Sequence, residues 1–417
     1  MYSLIALFVA LLCATVTPSL AQEPLHLDQL LTEALNSNPE IFAAQKKYEA
    51  ARQRPNQESS LPDPTFSPGY TSNGAPWPGA RLGTEPTSNI GFMISQAFPA
   101  PGKRRLRGEI AAKEADAEFQ QYEAVRLSVT SRVKQVFHRL HHTYMALDIL
   151  RKGKDIFTTF LRISESRYST GKAMQADVFR AQTQLSLIQT KILRMQQDQR
   201  AAQAELNSLL NRRPGSPLGV PVRDSVQPLT ATVEEIVEMA LARSPTIRRD
   251  EQIIQRNELG INLARKGLRP DYTVAAGYFN MGRMPDMFQF RLDIPLPIYS
   301  GRKQIPAIHE QTHRLNESRS NYDAARQDLQ FRIREAYSQA ETSFQLLTLY
   351  RDTIIPQARL TADSSLATYQ TGAADFLSVL TNLASTIDYE ERYHEEMLSF
   401  WLAVIRLEEL SGSQLLN

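Results

Sequence analysis

The sequence predicts an α+β membrane protein. Long antiparallel helical hairpins form an α-barrel, and two β-hairpins contribute four strands to a transmembrane β-barrel shared between copies. Three observations predict this. The chain runs through the same order of segments twice. Two long stretches are nearly free of helix breakers. A strand pair with alternating apolar and polar residues precedes each of those stretches.

The first 21 residues read as a cleaved secretory signal. Leu4 to Val16 is almost wholly apolar, and Ser19-Leu20-Ala21 offers small residues for a peptidase. The apolar run is short for a bilayer span. Cys13 invites a lipoprotein reading, but Leu12 stands where that chemistry wants a small residue. Cleavage after Ala21 leaves a mature chain without cysteine, held together by packing or oligomerisation rather than disulfides. Lys+Arg 47 against Asp+Glu 45 gives no charge excess that would point to nucleic acid. No later stretch of about 18 apolar residues suggests a membrane helix.

Residues 22–210 form a first repeat, 211–231 a linker and 232–417 a second repeat. LDQLLTEALNSNPEI from Leu27 matches VEEIVEMALARSPTI from Val233, with Pro39 and Pro245 at breaks. LPDPTFSPGY from Leu61 answers LRPDYTVAAGY from Leu268. QAFPAPGKRR from Gln96 answers DIPLPIYSGRK from Asp293. Last come RYSTGKAMQADVFRAQ and TYQTGAADFLSVL, with Gly171 and Gly372 as fixed points. The joint, Asn211 to Thr230, is rich in Pro and Gly and reads as extended.

Ile90, Phe92, Ile94 and Phe98 alternate with Gly91, Met93, Ser95 and Ala97, and Gln96 breaks the apolar side. Phe288, Phe290, Leu292 and Ile294 alternate with Gln289, Arg291 and Asp293. This is period-two patterning of a strand with lipid on one side and water on the other. A half-buried hairpin on a soluble core would show the same alternation. The export signal and the long helices favour the barrel. Two hairpins cannot close one, since the smallest known type has about eight strands. Open edges in lipid leave backbone groups unpaired, so copies must share the barrel. Three copies of four strands give twelve.

From Lys103 to Tyr168 there is no proline, and only Gly108 and Gly153 interrupt. At 1.5 Å per residue such a helix is about 100 Å long. Lys303 to Tyr369 is similar, with Pro356 expected to kink it. Met174 to Leu210 and Asp375 to Leu410 are about half as long. The short helices, Leu27 to Ser59 and Val233 to Lys266, supply the missing length. A long helix therefore lies beside two shorter ones stacked end to end.

Such a chain resembles the TolC-type outer-membrane efflux proteins over essentially its whole mature length. LPDPTFSPGY and QAFPAPGKRRLRGE look most like the CzcC-like heavy-metal branch. The resemblance implies a homotrimer with a twelve-stranded barrel in the outer membrane of a Gram-negative-type bacterium and a helical tunnel in the periplasm. It also implies a periplasmic adaptor (membrane fusion protein) and an inner-membrane RND pump as partners, and outer-membrane lipid around the barrel. The function it implies is passive conduction, with heavy-metal cations as the leading cargo. Organic solutes or type I protein secretion is the first rival, and a secreted coiled-coil scaffold or adhesin without a pore is the second.

The tip turns would be Gly171-Lys172-Ala173 and Gly372-Ala373-Ala374, small and exposed, either docking the adaptor or forming plain turns. The resemblance implies closing bonds at Tyr369 and Asp177. The family's arginine two residues after the second glycine is absent here, where Ala374 stands. Asp375 could add negative charge at the constriction, since carboxylate rings favour cations. Asp177 and Asp375 also suit helix N-capping.

No HExxH, GxxxxGK[ST], GxSxG or GxGxxG stands in the chain, so no enzyme and no cofactor is expected. Three clusters have metal-ligand chemistry: His138, His141 and His142 at i, i+3 and i+4; His309 and His313 at i, i+4; and Met281, Met284 and Met287, expected in the loop between the third and fourth strands. The blander readings are solvated helix faces and apolar loop packing, and no metal site is assigned. The basic run Lys103, Arg104, Arg105 and Arg107 is read as solvating a helix start, with lipid headgroup phosphates as the alternative partner.

Overall fold

The structure is a computed structural model that describes residues 24–222, 226–371 and 373–416. The signal segment 1–21, part of the linker and Gly372 lie outside the described residues. Short helices come first: α1 (Leu27–Ser37), α2 (Pro39–Ala51) and α3 (Arg54–Ser59). The hairpin β1 (Thr65–Thr71) and β2 (Asn89–Phe98) follows, then α4 (Lys103–Ser169) and α5 (Gln175–Leu209). The order continues with α6 (Val233–Arg243), α7 (Pro245–Lys266), β3 (Tyr272–Asn280) and β4 (Met287–Asp293). The chain ends with α8 (Gln304–Leu349), a π-helical turn (Tyr350–Ile354), α9 (Ile355–Thr371) and α10 (Phe376–Ser411).

The breaks between short helices have local causes. Asn38 caps α2 by accepting from the N–H groups of Glu40 and Ile41, and Pro39 sits at N1, where its missing N–H costs nothing. Ser37 and Asn38 also donate to the carbonyls of Leu210 and Leu209, so this break is pinned to the end of α5. Pro245 likewise stands at N1 of α7, although Ser244 before it makes no side-chain cap.

Helix α4 runs unbroken for 67 residues, about 100 Å at the α-helical rise. It runs through both Gly108 and Gly153, as the length read from the sequence requires. Both permit close approach. A Cβ on Gly108 would meet Ser59 Cβ at 3.0 Å, and one on Gly153 would meet Ile387 Cδ1 at 2.6 Å. The missing side chains bring α3 and α10 against α4. At Pro356 the structure accommodates the lost N–H by the π-helical turn just before it. The N–H of Ile355 reaches back to the carbonyl of Tyr350, which adds one residue to the turn, the irregularity that accompanies the proline.

The helices pack through clusters strung along the molecule. At one level Leu30, Val133, Phe137 and Leu206 are buried together. At another Ile236, Ile247, Ile333 and Leu407 meet. Towards the far end Leu150, Phe157, Phe160, Ile188, Tyr369, Phe376 and Val379 close around one another. His138 lies within the wall, its ring 4.5 Å from Trp401 and nearly parallel to it. Burial drives its pKa from 6.5 down to about 3, with lesser pushes from His141 and Lys134.

The four strands form one antiparallel sheet in the order β1-β2-β3-β4. Phe66 faces Ile94, Phe92 faces Tyr278, and Tyr278 faces Phe288. Lys103 locks the sheet to the helices. It is buried, donates to Asp271 at 2.7 Å and to the carbonyl of Arg269, and Asp271 also accepts from the N–H of Ala100. This corrects the reading of the basic run at Lys103, which is buried, whereas Arg105 and Arg107 are exposed as that reading expects. Lys103 joins the end of β2 to the start of β3.

Two outcomes follow from this packing. Gly153→Leu overfills the α4–α10 contact and lowers stability by about 1–3 kcal/mol in thermal or denaturant melts, and Ile387→Ala in the same chain recovers part of the loss. Neutral His138 makes the fold acid-sensitive. Its folded pKa is depressed, so below about pH 6.5 the unfolded chain takes up a proton that the folded chain refuses until about pH 3. Stability is therefore lost as pH falls through that window, by at most about 1.4 kcal/mol per pH unit from this group. His138→Phe keeps the stack on Trp401 and flattens the pH dependence of the melting temperature between those limits.

Candidate functional site

The sheet carries most of its large apolar side chains on one face, which is uncovered, while Met93, Phe279 and Met287 fall on the other. Across the register, Phe66, Tyr70, Ile90, Phe92, Ile94, Val274, Tyr278, Phe288, Phe290 and Leu292 fall on the same side. Phe290 is 84% exposed and Phe66 61%. Water does not tolerate a patch of this size on a monomer. The opposite face carries Ser67, Ser95, Thr273, Gln289, Arg291 and Asp293. β2 and β3 are 10 and 9 residues long, close to the 9–11 residues that a tilted strand needs to cross a bilayer. Both outer strands, β1 and β4, have an edge with no partner among the described residues. No helix among the described residues is long and apolar enough to cross a membrane.

The other end of the molecule is built by the glycine turns. α4 ends in paired reversed bonds, with the Gly171 N–H to Tyr168 and the Lys172 N–H to Arg167. Gly171 has φ +71, the left-handed conformation that this helix stop requires. At the second turn the N–H groups of Ala373 and Ala374 both reach the carbonyl of Thr368. Lys172 and Ala373 are exposed, and Ala373 leads into Asp375 and α10.

Asp375 caps α10, its carboxylate accepting from the N–H of Leu377 at 3.1 Å. Asp177 accepts from the N–H of Met174 at 3.4 Å and pairs with Arg180 at 3.7 Å. Both acids thus serve helix starts. Tyr369 is only 3% exposed and lies among Phe160 and Phe376, with ring centroids 5.6 and 6.1 Å away. Among the described residues its hydroxyl has no hydrogen-bond partner.

One residue was missed in the sequence. Arg167 places its guanidinium 4.6 Å from the centre of the Tyr369 ring and donates to the Tyr369 carbonyl at 2.6 Å. The signal was present, since Arg167 opens the first glycine motif, but nothing local says that its partner lies about two hundred residues away.

The metal-ligand candidates do not converge. Among the described residues no group of three or more His, Cys, Asp or Glu is placed to hold an ion. His138 is engaged by Trp401. His141 is buried. His142 is depressed in pKa by burial, against the pull of Glu395 and Asp198. His309 and His313 are exposed on one face of α8. Met281 and Met284 lie in the β3–β4 loop as expected, but Met287 opens β4 itself.

Comparisons with known proteins agree with this architecture. The sequence profile of the family described as "Outer membrane efflux protein" matches residues 30–212 and 236–413. The cobalt-zinc-cadmium resistance protein CzcC of Cupriavidus metallidurans is 20% identical over 399 residues, covering 95% of this chain and 92% of CzcC. The alkaline protease secretion protein AprF of Pseudomonas aeruginosa is 24% identical over 225 residues, covering 50% of this chain but only 46% of AprF. Among solved structures, the outer membrane protein VceC of Vibrio cholerae superposes with TM-score 0.79 at 17% identity, covering 94% of this chain and 97% of VceC. CusC does so with TM-score 0.79 at 18% identity, covering 94% and 93%. At these identities the superpositions show a shared fold. With the profile matched through both sets of strands and helical hairpins, the chain belongs to the outer membrane efflux protein family.

Proposed function

We propose that this chain is the exit duct of a tripartite RND-type efflux system in the outer membrane. Three copies close a twelve-stranded barrel, and their helices continue as a tunnel in the periplasm. The duct conducts passively and catalyses nothing. The observation that carries this reading is the sheet, whose uncovered apolar face and two open edges fit only a surrounding of lipid and further strands. The tip turns around Gly171, Lys172, Ala173, Gly372, Ala373 and Ala374 meet the helical hairpins of a periplasmic adaptor. Asp177, Tyr369 and Asp375 stand at the constriction.

Heavy-metal cations are the proposed cargo, supported by the match to CzcC along nearly the whole chain. A conduit has no need to hold its cargo tightly, so scattered imidazoles are compatible with this cargo. The match to AprF over half the chain supports a second reading, in which the same fold exports polypeptide or organic solutes.

Conductance of the purified protein in planar bilayers tests the duct. Discrete steps are expected, and an electrically silent bilayer contradicts it. Charge placement separates the two sheet faces. Phe290→Arg puts a cation on the lipid side at about 2–4 kcal/mol and sharply lowers the yield of assembled oligomer in the outer membrane. Gln289→Arg leaves assembly intact and changes conductance. Asp375→Asn keeps the helix cap, since Asn caps as well as Asp, and removes the charge. It is expected to lower cation-over-anion permeability about twofold, and unchanged selectivity removes Asp375 from the constriction.

A further inference from the structure

The ends of α4 and α9 lie side by side, and both present carbonyls to one guanidinium. The last carbonyls of a helix have no intrahelical partner, and the helix dipole makes that end negative. α9 has no basic residue in its own last turn. Arg167, from α4, stands there instead. Its Nη1 donates to the carbonyls of Tyr369 at 2.6 Å and Gln370 at 3.5 Å, and its Nη2 reaches the carbonyl of Lys172 at 3.5 Å. Among the described residues of the second turn, the N–H groups of Ala373 and Ala374 both go to Thr368, and the Tyr369 and Gln370 carbonyls accept from Arg167. The cation also covers the Tyr369 ring. The Tyr369 hydroxyl takes no part.

We propose that Arg167 is the positioning residue that clasps the two tip turns of one chain into a single unit, so that the turns separate only when its guanidinium leaves Tyr369. The clasp is built from a ring face and backbone oxygens, not from the phenol. It rests on the reading of this end as the gated end of the duct. A planar fork is required, because a single cation must serve carbonyls on two different turns while lying on a ring. This supplies a link across the tip in a chain that has Ala374 in place of an arginine on the second turn.

Paired spin labels test the clasp in the full-length assembled protein. They are placed through Lys172→Cys and Gln370→Cys, with Cys13→Ser in the background because Cys13 is the sole cysteine. The parent gives one narrow distance distribution. Arg167→Gln broadens it and raises the frequency of spontaneous openings in bilayers about tenfold, the scale of a lost charge-assisted bond. Arg167→Lys keeps the charge without the fork and gives an intermediate distribution. Distances and openings unaltered in Arg167→Gln overturn the proposal. If that variant does not assemble, Arg167→Lys decides: a parent-like distribution overturns the proposal, and an intermediate one supports it. A protein that never conducts contradicts the exit-duct reading alone, because the label distances still judge the clasp.

Discussion

A β-strand edge in hydrocarbon leaves N–H and C=O groups with no partner, at several kcal/mol each. Everything about this molecule's architecture is arranged around that constraint. One chain makes four strands, covers one face with Phe, Ile, Leu and Tyr, and leaves β1 and β4 each with an unpaired edge. Such a sheet is unfinished alone in water and alone in lipid. In the proposed duct, further copies supply the missing strands, and the helices hang from a closed ring. The Lys103–Asp271 pair then has a clear role. It fixes the point where β2 becomes α4 against the point where α7 becomes β3, so the sheet and the helical wall hold one geometry.

The helical wall solves a different problem. A helix of about 100 Å cannot be buried in one globule, so it is covered in stages by shorter neighbours. The covering is tight because small residues stand at the contacts. Gly108 admits α3, and Gly153 admits α10. A continuous α8–α9 would lose a backbone bond at Pro356, and the π-helical turn absorbs that loss without a break. Long-range stiffness and local accommodation therefore coexist in one wall. At its far end, aromatic packing of Phe160, Tyr369 and Phe376 holds the two hairpins at a fixed spacing.

Much of this was legible in the residues. Alternation in β2 and β4 gave the strands because period two is a local property, and the face it predicted is the face left exposed. The glycine motif gave the helix stop at Gly171 because only the left-handed conformation completes it. Asp177 and Asp375 were legible as caps because capping acts over three residues. What could not be read depends on partners remote in sequence. Gly108 and Gly153 look like interruptions until the helices facing them are known. Lys103 looks like a solvated cation until Asp271 arrives from the second half of the chain. Arg167 sits in plain view in the first motif, yet its function as a contact exists only beside Tyr369. The histidines show the same limit in reverse, since helical spacing suggested a shared face, and Trp401 took the space beside His138.

The account stands on closure of the sheet by further copies of the same chain. Its most direct measurement is the native mass of the protein extracted gently from the membrane, combined with disulfide trapping between single cysteines placed on β1 and on β4. The account predicts a particle of three chains whose β1 and β4 cysteines cross-link between neighbours and never within one chain. A folded monomer, or an oligomer in which the two edges never meet, would contradict it.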